Sequence, residues 1–313
     1  MTFTSDQLCA LDEMAVLHIR GADARSFMQS QLTNAVENLN ATQAVLAGFC
    51  QIKGRLQANM LVWTDPNDEQ NLYALLHRSI AETFRKRIAM FVLRAKAELV
   101  LSEARVYGVF NASTDAFTLP TTHYSTSHNA DGSSTLISAP TATTTQPARA
   151  WLIAYDAALD TEPAASTQQW QAADIQAGLP WIQAASYETF LPQDVNLDII
   201  GGVSFNKGCF PGQEVVARLH YRTTARRRAA LGAIASNTPL DIAVGSDIFE
   251  ASQPDRPFGR VINSAYDANA QQQVLLMEVI IADIDQQTLH ALNAQGPEIT
   301  VQDLPFGWEI AKY

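Results

Sequence analysis

Cysteine is scarce and scattered in this sequence. Cys9, Cys50 and Cys209 are the only three, with no CxxC pair and no histidine at ligand spacing beside them. That excludes a permanent zinc or iron–sulfur site built by this chain alone, and an odd, sparse count fits a reducing compartment. Charge is thin as well: 17% of residues are charged and 47% apolar, the balance of an ordinary globular chain and not of a disordered one. Basic residues are outnumbered, 21 Lys and Arg against 32 Asp and Glu, and the formal net charge of -11 excludes a nucleic-acid coat over the whole surface. Apolar runs are too short to span a bilayer. The opening residues, MTFTSDQLCALDE, lack the basic start and apolar core of a secretory signal. No internal repeat is present. Together these absences predict a cytoplasmic protein without a membrane contact, and 313 residues are enough for two or three domains with cores of their own.

What is present reads in order. Residues 14–20, MAVLHIR, alternate as a strand. Gly21 ends it and Asp23 is placed to cap a helix, ARSFMQSQLTNAV, with Phe27, Met28, Leu32 and Val36 on its inner face. The apolar runs AVLAGFCQ and LQANMLVW flank Ile52-Lys53-Gly54-Arg55, which predicts a hairpin with a basic turn. A strand, NLYALLH, an amphipathic helix, RSIAETFRKRIAMFVL, and a strand, AELVLSEA, complete a β-α-β-β-β-α-β order. That order predicts an α+β sheet with its helices on one face. VYGVF opens a second unit. From Asn111 to Ala150, 16 of 40 residues are Ser or Thr, a composition that predicts loop except at STLIS. ARAWLIAYD reads as a strand and QQWQAADIQAGLPWI as a helix up to Gly178-Leu179-Pro180. Beyond Arg228 come short strands separated by turn residues, which predict a small β-barrel or sandwich.

The most informative stretch is Lys207 to Arg228, KGCFPGQEVVARLHYRTTARRR. Gly208 permits a tight or left-handed turn, Pro211 suits the start of a helix, and Val215, Val216 and Leu219 have helical spacing. Cys209 is therefore predicted just ahead of a short helix, where unpaired N–H groups and Lys207 favour its thiolate. The bland alternative is a small buried core residue, the usual fate of a lone cysteine. The four arginines Arg222, Arg226, Arg227 and Arg228 read either as a local nucleic-acid strip or as a solvated edge strand. Upstream, Gln193, Asp194, Asn196 and Asp198 read as solvated loop residues.

Several of these strings, GFCQIKGRLQANM, QQWQAADIQAGLPWI, FLPQDVNLDIIGGVSFNKGC and FPGQEVVARLHYR, together resemble the YgfZ family of folate-binding proteins, relatives of the glycine-cleavage T-protein. HIRGADARSFMQSQLTNAV is similar too. The resemblance implies a three-lobed ring: ferredoxin-like α+β units followed by a small C-terminal β-barrel. The lobes fall at residues 1–104, 105–228 and 229–313, with part of 170–228 folding back on the first. It implies tetrahydrofolate or a derivative as cofactor and a role in assembling or maintaining iron–sulfur clusters, felt through tRNA-modifying enzymes that carry such clusters. Folate and iron–sulfur client or assembly proteins are the partners it implies; a weak tRNA contact is read separately from the arginines at 222–228. Carried over by position, Cys209 and Lys207 are the candidate catalytic residues. Trp170, Met14, Gly208, Gln213, Glu214 and Arg218 are the candidate cofactor-binding ones. No permanent metal is expected.

Two departures from the pattern stand out. Met14 occupies the position of a second folate-contacting tryptophan, and Ala58 and Asn59 stand where the T-protein has an acidic pair. A neutral Asn59 cannot take a proton as a carboxylate does. Aminomethyl transfer, the alternative function, would then need another carboxylate such as Asp194 or Asp198. Direct tRNA binding through the arginine strip is the third reading.

Overall fold

A computed structural model describes residues 3–111, 122–143, 146, 148–155, 159, 161–222 and 225–308. In chain order its elements are β1 (Leu8–Ala10), β2 (Met14–Arg20), α1 (Ala24–Gln31), β3 (Val45–Cys50), β4 (Leu56–Thr64), β5 (Leu72–His77), α2 (Arg78–Ala89) and β6 (Glu98–Leu101). Then follow β7 (Arg105–Phe110), β8 (Thr126–His128), β9 (Ser134–Ala139), β10 (Arg149–Ala154), α3 (Thr167–Gln176) and α4 (Gln213–Tyr221). The last part is all strand: β11 (Arg227–Ala235), β12 (Asp247–Glu250), β13 (Gly259–Asp267), β14 (Gln272–Ile280), β15 (Leu289–Ala291) and β16 (Glu298–Gln302).

Three sheets result. The first runs β3-β4-β5-β2-β6 and the second β1-β7-β10-β9-β8, while β11-β14-β13-β12-β15-β16 closes into a barrel. The mixed α+β class and the C-terminal barrel expected from the sequence are both present. All nine residues of β4 are buried, which explains why LQANMLVWT is apolar almost throughout instead of alternating. One of its faces, with Ala58 paired to Phe49, turns to α2, where Phe49 meets Phe84 edge-on at 5.2 Å. On the other face the Trp63 indole N–H donates to the Tyr155 hydroxyl at the end of β10, 2.9 Å away. A sheet covered on both sides has no room for a polar row.

The differences from the expected pattern have local causes. β1 pairs with β7, so the first strand of the chain lies in the second sheet. Helix α1 stops at Gln31, because Leu32 has extended backbone (ψ 156°). Asp23 does not cap it with its side chain; its Oδ2 accepts from the Lys96 backbone N–H at 2.7 Å. The Ser/Thr-rich stretch carries a second short strand, β8, besides β9, and its residues 112–121 lie outside the described part.

The loop at 193–198 is not solvated. Gln193 and Asn196 are fully buried, and their side-chain amides donate to the carbonyls of Val216 and Ala229, 2.8 and 2.9 Å away. Arg228 donates both guanidinium ends to Asp198 at 2.6 and 3.1 Å, a buried bidentate pair. Gln193, Asn196 and Asp198, which looked like surface polarity, thus tie this loop to α4 and to the barrel strand β11. No described helix is long and apolar enough to cross a membrane.

Candidate functional site

Two regions carry the residues singled out by the sequence, and they are separate. The first is a cavity where α3, the start of β2, the end of β5 and the barrel strand β13 converge. Met14 and Trp170 both line it, with Glu13, His77, Gln171, Asp174, Trp181 and Asn263 among their neighbours. The space between these side chains is narrow, about 60 Å³.

Its shape follows from the strap Pro180–Ile182, held from two sides by buried carboxamides. Asn59 of β4 donates to the Pro180 carbonyl at 2.7 Å and accepts from the Ile182 N–H at 2.8 Å. Asn263 of β13 accepts from the Trp181 N–H at 2.8 Å and donates to its carbonyl at 2.9 Å. Each amide behaves like one rung of a β-ladder, and only a group with both a donor and an acceptor can do so. The strap in turn aims the Trp181 indole N–H at Asp174, 3.0 Å away.

Trp170 is 2% exposed and is a wall more than a flap. It packs against Gly108, where a Cβ would stand 2.4 Å from the indole, so β7 needs glycine there. The Arg149 guanidinium sits 4.5 Å above its ring and pairs with Asp174 at 2.9 Å. Burial pushes the Asp174 carboxyl up, and Arg149 and the Trp181 indole pull it back. Both of its oxygens are therefore engaged. Glu13 is freer: burial raises its pKa, and among the described residues its one side-chain donor is Gln171, 3.0 Å from Oε1. Burial and then Arg78 draw His77 down to about 4, so the ring is neutral at pH 7. Its Nδ1 accepts from the Ser79 N–H, which puts the remaining proton on Nε2. The cavity thus offers two carboxyl groups with raised pKa values, Glu13 and the fully engaged Asp174, a neutral imidazole and several amides between apolar walls.

The second region is the Lys207–Gln213 loop. Cys209 is exposed, whereas Cys9 and Cys50 are buried. It precedes α4 as predicted. The left-handed turn falls at Gly212 (φ 81°) and not at Gly208, whose Cβ would meet open space. A Cβ on Gly212 would lie 2.6 Å from the Gln51 carbonyl and 2.7 Å from the Gly54 Cα, so the loop rests directly on the β3–β4 turn. Lys207 does not reach toward the thiol: its ammonium donates to the carbonyls of Gln29, Leu32 and Asn34, finishing the end of α1. Burial draws Lys207 down to about 8 while those three acceptors favour the charged form. Gln213 is half-buried, and Gly208, Glu214 and Arg218 are exposed.

None of Lys207, Gly208, Cys209, Gln213, Glu214 and Arg218 lines the Trp170 cavity. Asp194 and Asp198 do not line it either. Asp194 accepts from the Leu191 N–H at 2.8 Å, and burial pushes its carboxyl up to about 6. In the arginine strip, Arg228 is bound to Asp198 and Arg227 to Glu278 at 2.9 Å, which leaves Arg222 and Arg226 exposed among the described residues. Sequence reasoning missed Glu13, His77, Asp174 and Asn263. Only Asp174 had a signal: it lies one turn from Trp170 on the buried stripe of α3, a carboxylate where the pattern calls for an apolar residue. Among the described residues no cluster of three or more His, Cys, Asp or Glu is arranged to hold a metal ion.

No family model matches the chain. It is 29% identical over 323 residues to a protein of Klebsiella pneumoniae (strain 342) named tRNA-modifying protein YgfZ, covering 97% of this chain and 94% of the relative. The crystal structure of the glycine cleavage system aminomethyltransferase T from Bartonella henselae superposes with a TM-score of 0.70 at 12% identity, over 96% of this chain and 86% of that one. The resemblance read from the sequence is borne out by the first match, and the fold expected from it by the second.

Proposed function

We propose that this chain is a reduced-folate-binding accessory protein that supports the assembly or maintenance of iron–sulfur clusters on which tRNA-modifying enzymes depend. The reading is carried by one observation: Met14 and Trp170, named separately by the sequence, share one cavity, while Cys209 stands in the open on a braced loop. Similarity to a tRNA-modifying protein along nearly the whole chain supports it.

The cavity lining fits a reduced pterin in chemistry. Glu13, Gln171 and His77 offer acceptors and donors for the ring's polar edge, and Met14, Trp170 and Trp181 offer flat apolar contact. In size the gap is below the roughly 300 Å³ of sites that enclose such ligands. Binding therefore requires the half-buried His77, Gln171 and Gln183 to swing outward, since Met14, Trp170 and Trp181 are packed in place. A bound folate would supply one-carbon or redox chemistry of its own; the chain's part is to bind, orient and exclude water. Cys209 is the thiol within reach of a client protein.

Asn59 favours this reading over aminomethyl transfer. A carboxylate in its place would face the Pro180 carbonyl at hydrogen-bond distance, so the position is built for an amide. The test is a tetrahydrofolate titration followed by intrinsic fluorescence, since Trp170 and Trp181 both report on the cavity. Saturable quenching that weakens about tenfold or more in Glu13→Gln, with Cys209→Ala unchanged, is expected. Absence of saturable quenching in the folded protein sinks the folate half. Full activity of methylthiolating enzymes in cells carrying only Cys209→Ala sinks the thiol half.

A further inference from the structure

A second and larger cavity shares Leu179 with the Trp170 cavity. Its volume is about 370 Å³, within the roughly 300–1,000 Å³ of sites that enclose small ligands. It forms where the turn before β8, the chain after β9, the residues that end α3 and the stretch following the barrel come together, with Ile199 and Ile200 on a further side. None of the described residues lining it is Asp, Glu, Lys or Arg, on a chain that has 53 of them (21 basic and 32 acidic).

Its walls are held in place from outside. Phe306 rests directly on Gly178, which has φ 71° and where a Cβ would stand 2.6 Å from the phenyl ring. Two residues on, the Trp308 indole N–H donates to the Ala229 carbonyl at 2.9 Å, which ties this stretch to β11. Opposite in sequence is Tyr124, a bulky residue with left-handed backbone (φ 64°), a conformation such residues seldom take. Its N–H donates to the Ser138 carbonyl at 3.0 Å, and its own carbonyl accepts from the Ala44 N–H at 2.7 Å. The Ser138 hydroxyl donates to the Thr122 carbonyl at 2.7 Å and accepts from the Ser125 N–H at 2.9 Å, so the whole turn is clipped to β9.

The Tyr124 phenol, among the described residues, has no hydrogen-bond partner. A half-buried phenol against apolar walls is a polar group lacking the acceptor it ordinarily finds. A charged ligand is matched poorly, because it would shed water with no opposite charge to meet. Arg149 does not supply one: it donates to the Pro140 carbonyl at 2.7 Å and is spent on Asp174. A purely aliphatic ligand would leave the phenol unpaired. An uncharged ring bearing a carbonyl satisfies both the walls and the phenol.

We propose that this cavity is a second binding site, separate from the Trp170 cavity, for a small uncharged aromatic compound whose carbonyl accepts from Tyr124. It does not depend on the folate reading. The probes are acetophenone, its charged counterpart benzoate, and ethylbenzene, which has the ring but no acceptor. Binding to the full chain is followed by saturation-transfer NMR of each probe.

Acetophenone is expected to bind saturably, and benzoate at least about tenfold more weakly. Tyr124→Phe weakens acetophenone about fivefold and leaves ethylbenzene unchanged, a split that a merely structural tyrosine would not produce. Ile200→Trp and, independently, Ala142→Trp fill the space and abolish binding of both, with folding checked by circular dichroism so that either folded variant suffices. No saturable acetophenone binding to the folded parent overturns the site. Benzoate binding as tightly as acetophenone overturns the uncharged class. Binding that survives in the folded filling variants is adventitious and also overturns it. Displacement of acetophenone by tetrahydrofolate overturns its separateness, whereas a chain that binds acetophenone and no folate sinks the folate reading and leaves this one standing.

Discussion

The Trp170 cavity and the Cys209 loop differ in how each is held. The cavity is assembled from two sheets, a helix and a barrel, and its parts are locked by buried amides and an ion pair at the meeting of α3, the strap and β13. The loop is a local object, braced by one lysine, one left-handed glycine and one turn, with its thiol in the open. Residues of the first region carry stability and binding together, so a substitution there moves both. At Cys209 the two are separable. A loss of function after changing Trp170 therefore says little about ligand contact, whereas a loss after changing Cys209 speaks to chemistry.

The contrast is sharpest in stability. Trp170→Ala is expected to cost about 3–5 kcal/mol in urea unfolding, because it empties a site packed by Gly108, Trp151 and Arg149. Trp170→Phe is accordingly the better probe of ligand binding. Asn59→Asp is expected to cost about 3 kcal/mol near neutral pH, since the donor to Pro180 is lost and a carboxylate meets a carbonyl. Lowering the pH should restore part of that loss; a variant as stable as the parent at pH 7 would break the account of the strap.

Asp194→Asn, in the 193–198 loop outside both regions, carries the opposite sign. The folded-state pKa of Asp194 is raised to about 6 by burial, so its contribution is favourable below pH 4 and is lost as pH rises through 6. The amide variant, which does not titrate, should match the parent near pH 4 and be about 3 kcal/mol more stable at pH 8. Cys209→Ser is expected to change stability by less than about 0.5 kcal/mol. A thiol reagent should find one fast cysteine in the native protein and three after unfolding, because Cys9 and Cys50 are buried and burial pushes Cys9 up to about 12. Three fast thiols, or none, would erase the distinction between the two regions.

Much of this was legible without coordinates. Periodicity placed the strands and helices of the first sheet in order, because each buries a face whose spacing is written locally, and the glycine-bounded cysteine string marked an exposed loop ahead of a helix. Polar residues were the harder case. Gln193, Asn196 and Asp198 look like loop polarity, and Lys207 looks like a partner for the cysteine beside it. Their partners are Val216, Ala229, Arg228 and the end of α1, the last more than 170 residues away for the lysine. A hydrogen-bonding side chain announces that it needs a partner but not where the partner is.

The sequence by itself determined the mixed α+β class, the C-terminal run of strands, the scarcity of thiols and the position of the signature loop, since these follow from composition and short-range periodicity. Only the tertiary structure decided that Met14 and Trp170 line one cavity, that Asn59 and Asn263 grip one strap, that Lys207 serves a helix end, and that Cys209 faces solvent. Those outcomes depend on which distant groups the packed core brings within hydrogen-bonding range, and no local pattern encodes a distance across a fold.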